Sequence, residues 1–147
     1  MSTRLINALA ILAIVGILAL FASHFIPMVW TGPKQKFVES NDVNGIDVSQ
    51  RTLLWTLNFK QQNEVLNRIN QSMMIKKSDF EPTQDKFPFD SITIHRFKDK
   101  DIILKPIGKK NKNIVFSVPQ LNNDSYLQDV SEGALQSFLE TTYDPLN

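Results

Sequence analysis

His95 is the one histidine of this 147-residue chain that stands among polar neighbours; the other, His24, closes an apolar run. An imidazole that titrates near neutral pH is a natural first candidate for acid–base work. No segment near it supplies a nucleophile, an orienting carboxylate or a second ligand at a recognisable spacing. Asp99 and Asp101 sit between lysines in a short connector, where carboxylates are expected to be solvated and ionised. Carboxylate pairs that cleave glycosides need opposed walls and a cleft, which such a connector does not imply. Ser40-x-Asp42-x-Asn44-Gly45 matches the first half of a calcium loop, but the twelfth position, which requires a bidentate Glu, is Arg51. The chain has no cysteine, which removes thiolate metal sites, disulfides and a cysteine nucleophile together. Nor is there a Gly-rich phosphate loop. The expectation is a non-catalytic protein with no catalytic residues, no metal and no cofactor.

The elements that must position these residues follow from periodicity. SITIHRF (91–97), DIILKPI (101–107) and NIVFSVP (113–119) read as strands, with His95 on the face of Ser91, Thr93 and Phe97, opposite Ile92 and Ile94. Their short connectors permit only antiparallel neighbours. Pro106 and Pro119 are expected at edges or strand ends, because neither donates to a ladder. Upstream, Leu53, Trp55, Leu57 and Phe59 alternate with other residues as on a strand. Val65, Leu66, Ile69 and Met73 then fall at helical spacing, which predicts an amphipathic helix over 61–74. Leu127, Val130, Leu135, Phe138 and Leu139 mark a C-terminal helix with Ser131 as its N-cap. The fold class is α+β: an N-terminal single transmembrane helix, then a small domain of order strand, helix, three-strand antiparallel meander, helix.

The transmembrane assignment rests on residues 8–22, ALAILAIVGILALFA, which contain no polar side chain. A helix over Leu5–Ile26 is about 33 Å long, enough for a hydrocarbon core of about 30 Å. Pro27 ends it, and Trp30 falls where an interfacial aromatic is useful. A cleaved signal peptide fits less well. The run ends without small residues at both −3 and −1, and it exceeds the roughly 7–15 residues of a usual signal core. Residues 1–4 are thus an N-terminal tail, 5–30 the anchor in the lipid bilayer, 31–52 a linker and 53–147 the α+β domain. Gly32-Pro33 and Asn44-Gly45 supply the linker's break and turn signals. The short N-terminal tail favours a signal-anchor in a bacterial inner (plasma) membrane, with the C-terminal domain extracytoplasmic.

Charge is balanced overall but segregated. Residues 96–112 hold seven Lys or Arg against two Asp, whereas 113–147 hold five acidic residues and no basic ones. A basic hairpin of this kind keeps an edge strand from aggregating, and it also offers a positive surface to a partner. Nucleic acid is not expected as that partner, since the domain has no net positive charge and no exposed aromatic series. The proline-rich stretch between Phe80 and Phe89 concentrates three aromatics, which either cap the core or form an apolar contact surface. The candidate partner contacts are Phe80, Phe87, Phe89, Lys109, Lys110 and Lys112. The expected function is a membrane-anchored, non-catalytic binding or accessory module contacting another envelope protein. The alternatives are an immunity-type inhibitor of a toxin in the same compartment, or a small-ligand carrier.

Overall fold

The computed structural model describes residues 36–120 and 124–142. The tail and the anchor at 5–30 lie outside the described residues, and among those described no helix is long and apolar enough to cross a membrane. The described residues form a small α+β domain with a seven-stranded antiparallel sheet and two helices. The strands are β1 (Val43–Gln50), β2 (Leu53–Thr56), β3 (Met73–Lys76), β4 (Ser91–Arg96), β5 (Ile102–Lys110), β6 (Asn113–Ser117) and β7 (Ser125–Gln128). The helices are α1 (Phe59–Gln71) and α2 (Ala134–Thr142). Strand order is β2-β1-β4-β5-β6-β7-β3. β4, β5 and β6 are antiparallel neighbours, as their short connectors require, and the pairing of β1 on β4 and of β7 on β6 puts this meander in the middle of the sheet.

Three strands depart from the sequence expectation. Residues 43–50 fall within the expected linker but form β1, between β2 and β4. Ile46 and Val48 are fully buried and alternate with Asp47 and Ser49, so one face of this polar-looking segment is core. Asn44-Gly45 is not a turn: the register shifts between Val43 and Gly45, and Gly45 faces His95. The second departure is Met73. The helix stops at Gln71, and Met73 opens edge strand β3, half exposed instead of continuing the buried stripe of Val65, Leu66 and Ile69. Asn58 and Gln61 fix the other end of α1 as a reciprocal capping box. Phe59 consequently starts the helix, 80% exposed, rather than ending a strand.

The third departure is β7. Leu127 is buried in this strand and Val130 is exposed, so neither belongs to the C-terminal helix. Asp129 ends the strand by accepting from the Ser131 amide and hydroxyl, at 3.0 and 2.7 Å. Glu132 and Gly133 then adopt positive φ and turn the chain into α2. The Ser131 hydroxyl oxygen accepts from the Leu135 amide at 2.9 Å, so it serves the helix start.

Inward-facing Ile46, Val48, Ile92, Ile94, Ile102, Leu104, Ile114 and Phe116 meet Val65, Leu66 and Ile69 of α1 and Leu135 and Leu139 of α2. Each such side chain contributes about 1.5–3 kcal/mol on burial. β5 pairs with β4 through Ile102–Leu104 and with β6 through Lys105–Lys110. Pro106 lies inside β5, not at its end. It sits opposite Phe116, beside a register shift between Pro106 and Gly108, beyond the stretch that pairs with β4.

Candidate functional site

His95 is held between two carboxylates. Nε2 lies 2.9 Å from Asp47 Oδ2, and Nδ1 lies 2.7 Å from Asp101 Oδ2. β1 supplies Asp47 and β4 supplies His95, while Asp101 comes from the residue just before β5. Both carboxylates have further partners. Asp47 Oδ1 accepts from Thr56 Oγ1 of β2 at 2.6 Å, and Asp101 Oδ1 accepts from the Arg96 amide at 3.2 Å. One polar cluster thus ties together β2, β1, β4 and the start of β5.

A neutral imidazole has one N–H, so it satisfies only one of two flanking carboxylates. The imidazolium satisfies both. Hydrogen bonding to Asp47 and then to Asp101 accordingly raises the His95 pKa above its ordinary value, against a smaller opposing effect of burial. The Asp101 carboxyl moves the other way, lowered first by the His95 hydrogen bond and then by the Arg96 amide. When protonated, the ring donates from both nitrogens and clasps the two carboxylates. The neighbouring Arg96 repeats the pattern. Its guanidinium bridges Asp42 at 2.5 Å and Asp99 at 2.6 Å. The Asp99 and Asp101 side chains reach solvent, as expected, and each also contacts a side chain of β4, Arg96 and His95 respectively.

The expectation that no nearby segment supplies His95 with a carboxylate is overturned by Asp101, six residues on, which the chain reversal before β5 brings back to the ring. Asp47 was not legible in local sequence because it lies 48 residues before His95. The available signal was parity. Ser91, Thr93 and His95 share the face opposite the buried isoleucines, as expected. What local sequence does not reveal is that 43–50 forms the adjacent strand.

The aromatic loop is packed inward. Phe89 is 2% exposed and stacks on Phe116 with ring centroids 6.3 Å apart. Phe87 is half-buried against the core, 6.3 Å from Phe89, and Phe80 meets Tyr126 edge-on at 6.2 Å. Phe89 therefore has no surface to offer a partner, because the core holds its ring. The loop docks on β5 through the Thr83 amide, which donates to the Ile107 carbonyl at 2.9 Å, and through Asp85, which accepts from the Lys109 amide at 2.9 Å.

The hairpin lysines divide. Lys109 Nζ sits 5.5 Å from the centre of the Phe87 ring, while Lys110 and Lys112 are exposed around the turn, where Asn111 has φ 60°. The structure brings Lys109 and the aromatic loop together but leaves the other two lysines apart from it. Lys109 and Lys112 also line an open groove of about 580 Å³ with Glu132, Gln136 and Ser137, where the basic hairpin meets the acidic C-terminal segment. A second cleft, about 480 Å³, is lined by Arg51, Asp85, Lys86, Phe87 and Asp90.

Sequence reasoning also missed the large apolar side chains that do reach solvent. Leu54 is 67% exposed on edge strand β2, Met73 and Met74 are about half exposed on edge strand β3, and Phe97 follows β4. Compared with family models, curated proteins and solved structures, the chain matches none of them.

Proposed function

We propose that this protein is a membrane-anchored, non-catalytic binding or accessory module of the bacterial cell envelope that contacts another protein. The observation that carries the proposal is the edge strand β2. It presents Leu53 and Leu54 to solvent at one end of the sheet, with a backbone edge that no strand among the described residues pairs. Such an edge accepts an added strand from a partner, with main-chain hydrogen bonds supplying affinity and flanking side-chain contacts supplying specificity. The polar face beside it, carrying Ser49, Ser91, Thr93 and the His95 cluster, gives hydrogen-bonding groups in fixed positions. Lys110 and Lys112 extend the same module with a positive surface that steers an acidic partner. The roles of the candidate contacts are thus redistributed: Phe80, Phe87 and Phe89 hold the loop, and the contacts pass to β2 and the hairpin tip.

A photo-crosslinking residue at Leu54 in the full chain, expressed in intact cells, tests this. The expected result is one dominant protein adduct that disappears when the probe is moved to buried Val65. Adducts no different from those of the buried position would sink the proposal. An adduct with a toxin encoded beside this chain would instead make the module an immunity-type inhibitor.

A further inference from the structure

The exposed edge at the other end of the sheet calls for a different occupant. β3 carries Met73 and Met74, 50% and 46% exposed, followed by exposed Lys76 and Lys77. Methionines of this exposure at an edge strand are unusual without a cover, since a flat apolar edge invites unwanted pairing. The position of β3 relative to the point where the chain enters the domain indicates what covers it. Val38 is buried, and its backbone is clasped by a single side chain: the Val38 amide donates to Asn70 Oδ1 at 2.8 Å, and Asn70 Nδ2 donates to the Val38 carbonyl at 2.9 Å. Asn70 belongs to the last turn of α1, three residues before Met73. Three residues span at most about 11 Å, so the entry point and the methionine edge share one end of the domain.

Chain length then limits the geometry. Trp30, at the end of the proposed anchor, and Val38 are eight residue steps apart, which reach about 26–29 Å when fully extended. A domain of this size is about 34 Å across. Half its circumference, about 53 Å, exceeds the tether, so the chain cannot wrap round to bring the far side of the domain to the lipid.

We propose that the Met73–Met74 edge rests in the interfacial layer of the bilayer that holds the anchor. This inference rests on the anchored reading of the chain. The thioethers contact the acyl boundary, and Lys76 and Lys77 keep their ammonium groups at headgroup level while their stems lie along it. Glu39 and Asp79 lie nearby in the chain, and Asp124 lies beside Lys77, whose amide donates to the Asp124 carbonyl at 3.1 Å; these three acids balance Lys36, Lys76 and Lys77. The contact is therefore carried by apolar burial and does not require anionic lipid. It orients the domain so that β2, at the opposite end of the sheet, stays free for a protein.

The absence of cysteine makes the test direct. Full-length Met74→Cys and, separately, Leu54→Cys are labelled with an environment-sensitive fluorophore and reconstituted into phosphatidylcholine nanodiscs, with and without phosphatidylglycerol. A lipid carrying a spin-label quencher at headgroup depth is then added. The expected result is severalfold stronger quenching and a blue-shifted emission at position 74 relative to 54, in both lipid mixtures. Met73→Cys should behave as Met74→Cys. Chain that co-elutes with the discs but shows equal quenching at 74 and 54 overturns the contact alone. Quenching at 74 that appears only with phosphatidylglycerol overturns the apolar basis of the contact. A chain that fails to co-elute with the discs overturns the anchor and the contact together.

Discussion

Gly108 and Thr83 lie so close that a Cβ placed on Gly108 would overlap the threonine hydroxyl oxygen. The same Cβ would be 2.8 Å from the Phe80 ring and 3.0 Å from the Thr83 amide nitrogen. The glycine is what lets the aromatic loop lie directly on the outer stretch of β5. Its φ of 155° lies in the range that disfavours a side chain.

Gly108→Ala therefore forces the loop off β5 or strains both. A loss of about 1–3 kcal/mol is expected, read as a lower urea midpoint. A second signature should accompany it: faster hydrogen exchange at the Thr83 amide, which in the native chain donates to the Ile107 carbonyl. An unchanged midpoint with unchanged exchange would mean that the loop does not dock as described.

Phe89 and Lys109 sit in the same neighbourhood but differ in weight. Phe89→Ala empties a buried position against Phe116 and should cost about 3–5 kcal/mol. Lys109→Ala removes only a cation resting on the Phe87 ring and should cost about 0.5–1 kcal/mol. Chemical denaturation of the two variants side by side checks the ranking, and a larger loss for the lysine would contradict it.

The His95 clasp carries a pH dependence of definite sign. Its folded-state pKa lies above the ordinary 6.5, so its contribution is full below about pH 6.5 and is lost as pH rises through the raised value. Asp101 is shifted down from 3.8, so its contribution is present above that value and is lost as pH falls through the lowered one. The stability gap between the native chain and His95→Gln should therefore be widest between about pH 4 and 6.5 and should shrink above it. Urea unfolding of both proteins from about pH 4 to about pH 9, spanning the raised value, gives the answer. A gap that is flat with pH would mean the imidazolium is not the form held between Asp47 and Asp101.

Topology is testable with one residue, because no native thiol competes. Lys110→Cys places a thiol at the exposed hairpin turn. In cells with a permeable outer barrier, a maleimide that cannot cross the inner membrane should label it before detergent is added. Labelling only after solubilisation would put the domain in the cytoplasm and remove the extracytoplasmic envelope partner.

The central meander was legible in the sequence because Ile92/Ile94, Ile102/Leu104 and Ile114/Phe116 alternate cleanly with other residues over short connectors. Strand β1 was not, because VNGIDVSQ carries only two core side chains, Ile46 and Val48, among residues typical of turns. Its placement between β2 and β4 is a tertiary outcome. β3 and β7 were hidden for another reason. Met73 and Leu127 continue helical spacings from their neighbours, and what interrupts the helices is local backbone chemistry at Ser72, Asp129 and Gly133. The polar cluster was illegible for the same cause as β1, since its Asp47 is on the segment assigned to the linker. His95's face, by contrast, followed from parity alone.

The strand order has a consequence for how the chain is made. β2 and β3 are consecutive strands joined by α1, yet they end at opposite edges of the sheet. During synthesis the β1–β2 hairpin leaves the ribosome without its second neighbour, since β4 begins at Ser91. A lone two-stranded hairpin is marginal in water. Ile46 and Val48 must therefore wait, through the synthesis of α1, β3 and the aromatic loop, for Ile92 and Ile94 to emerge and pair beside them. Until the meander arrives, the apolar face of the β1–β2 hairpin has only α1 to cover it, so the N-terminal third of the domain is the part most exposed to wrong contacts during synthesis.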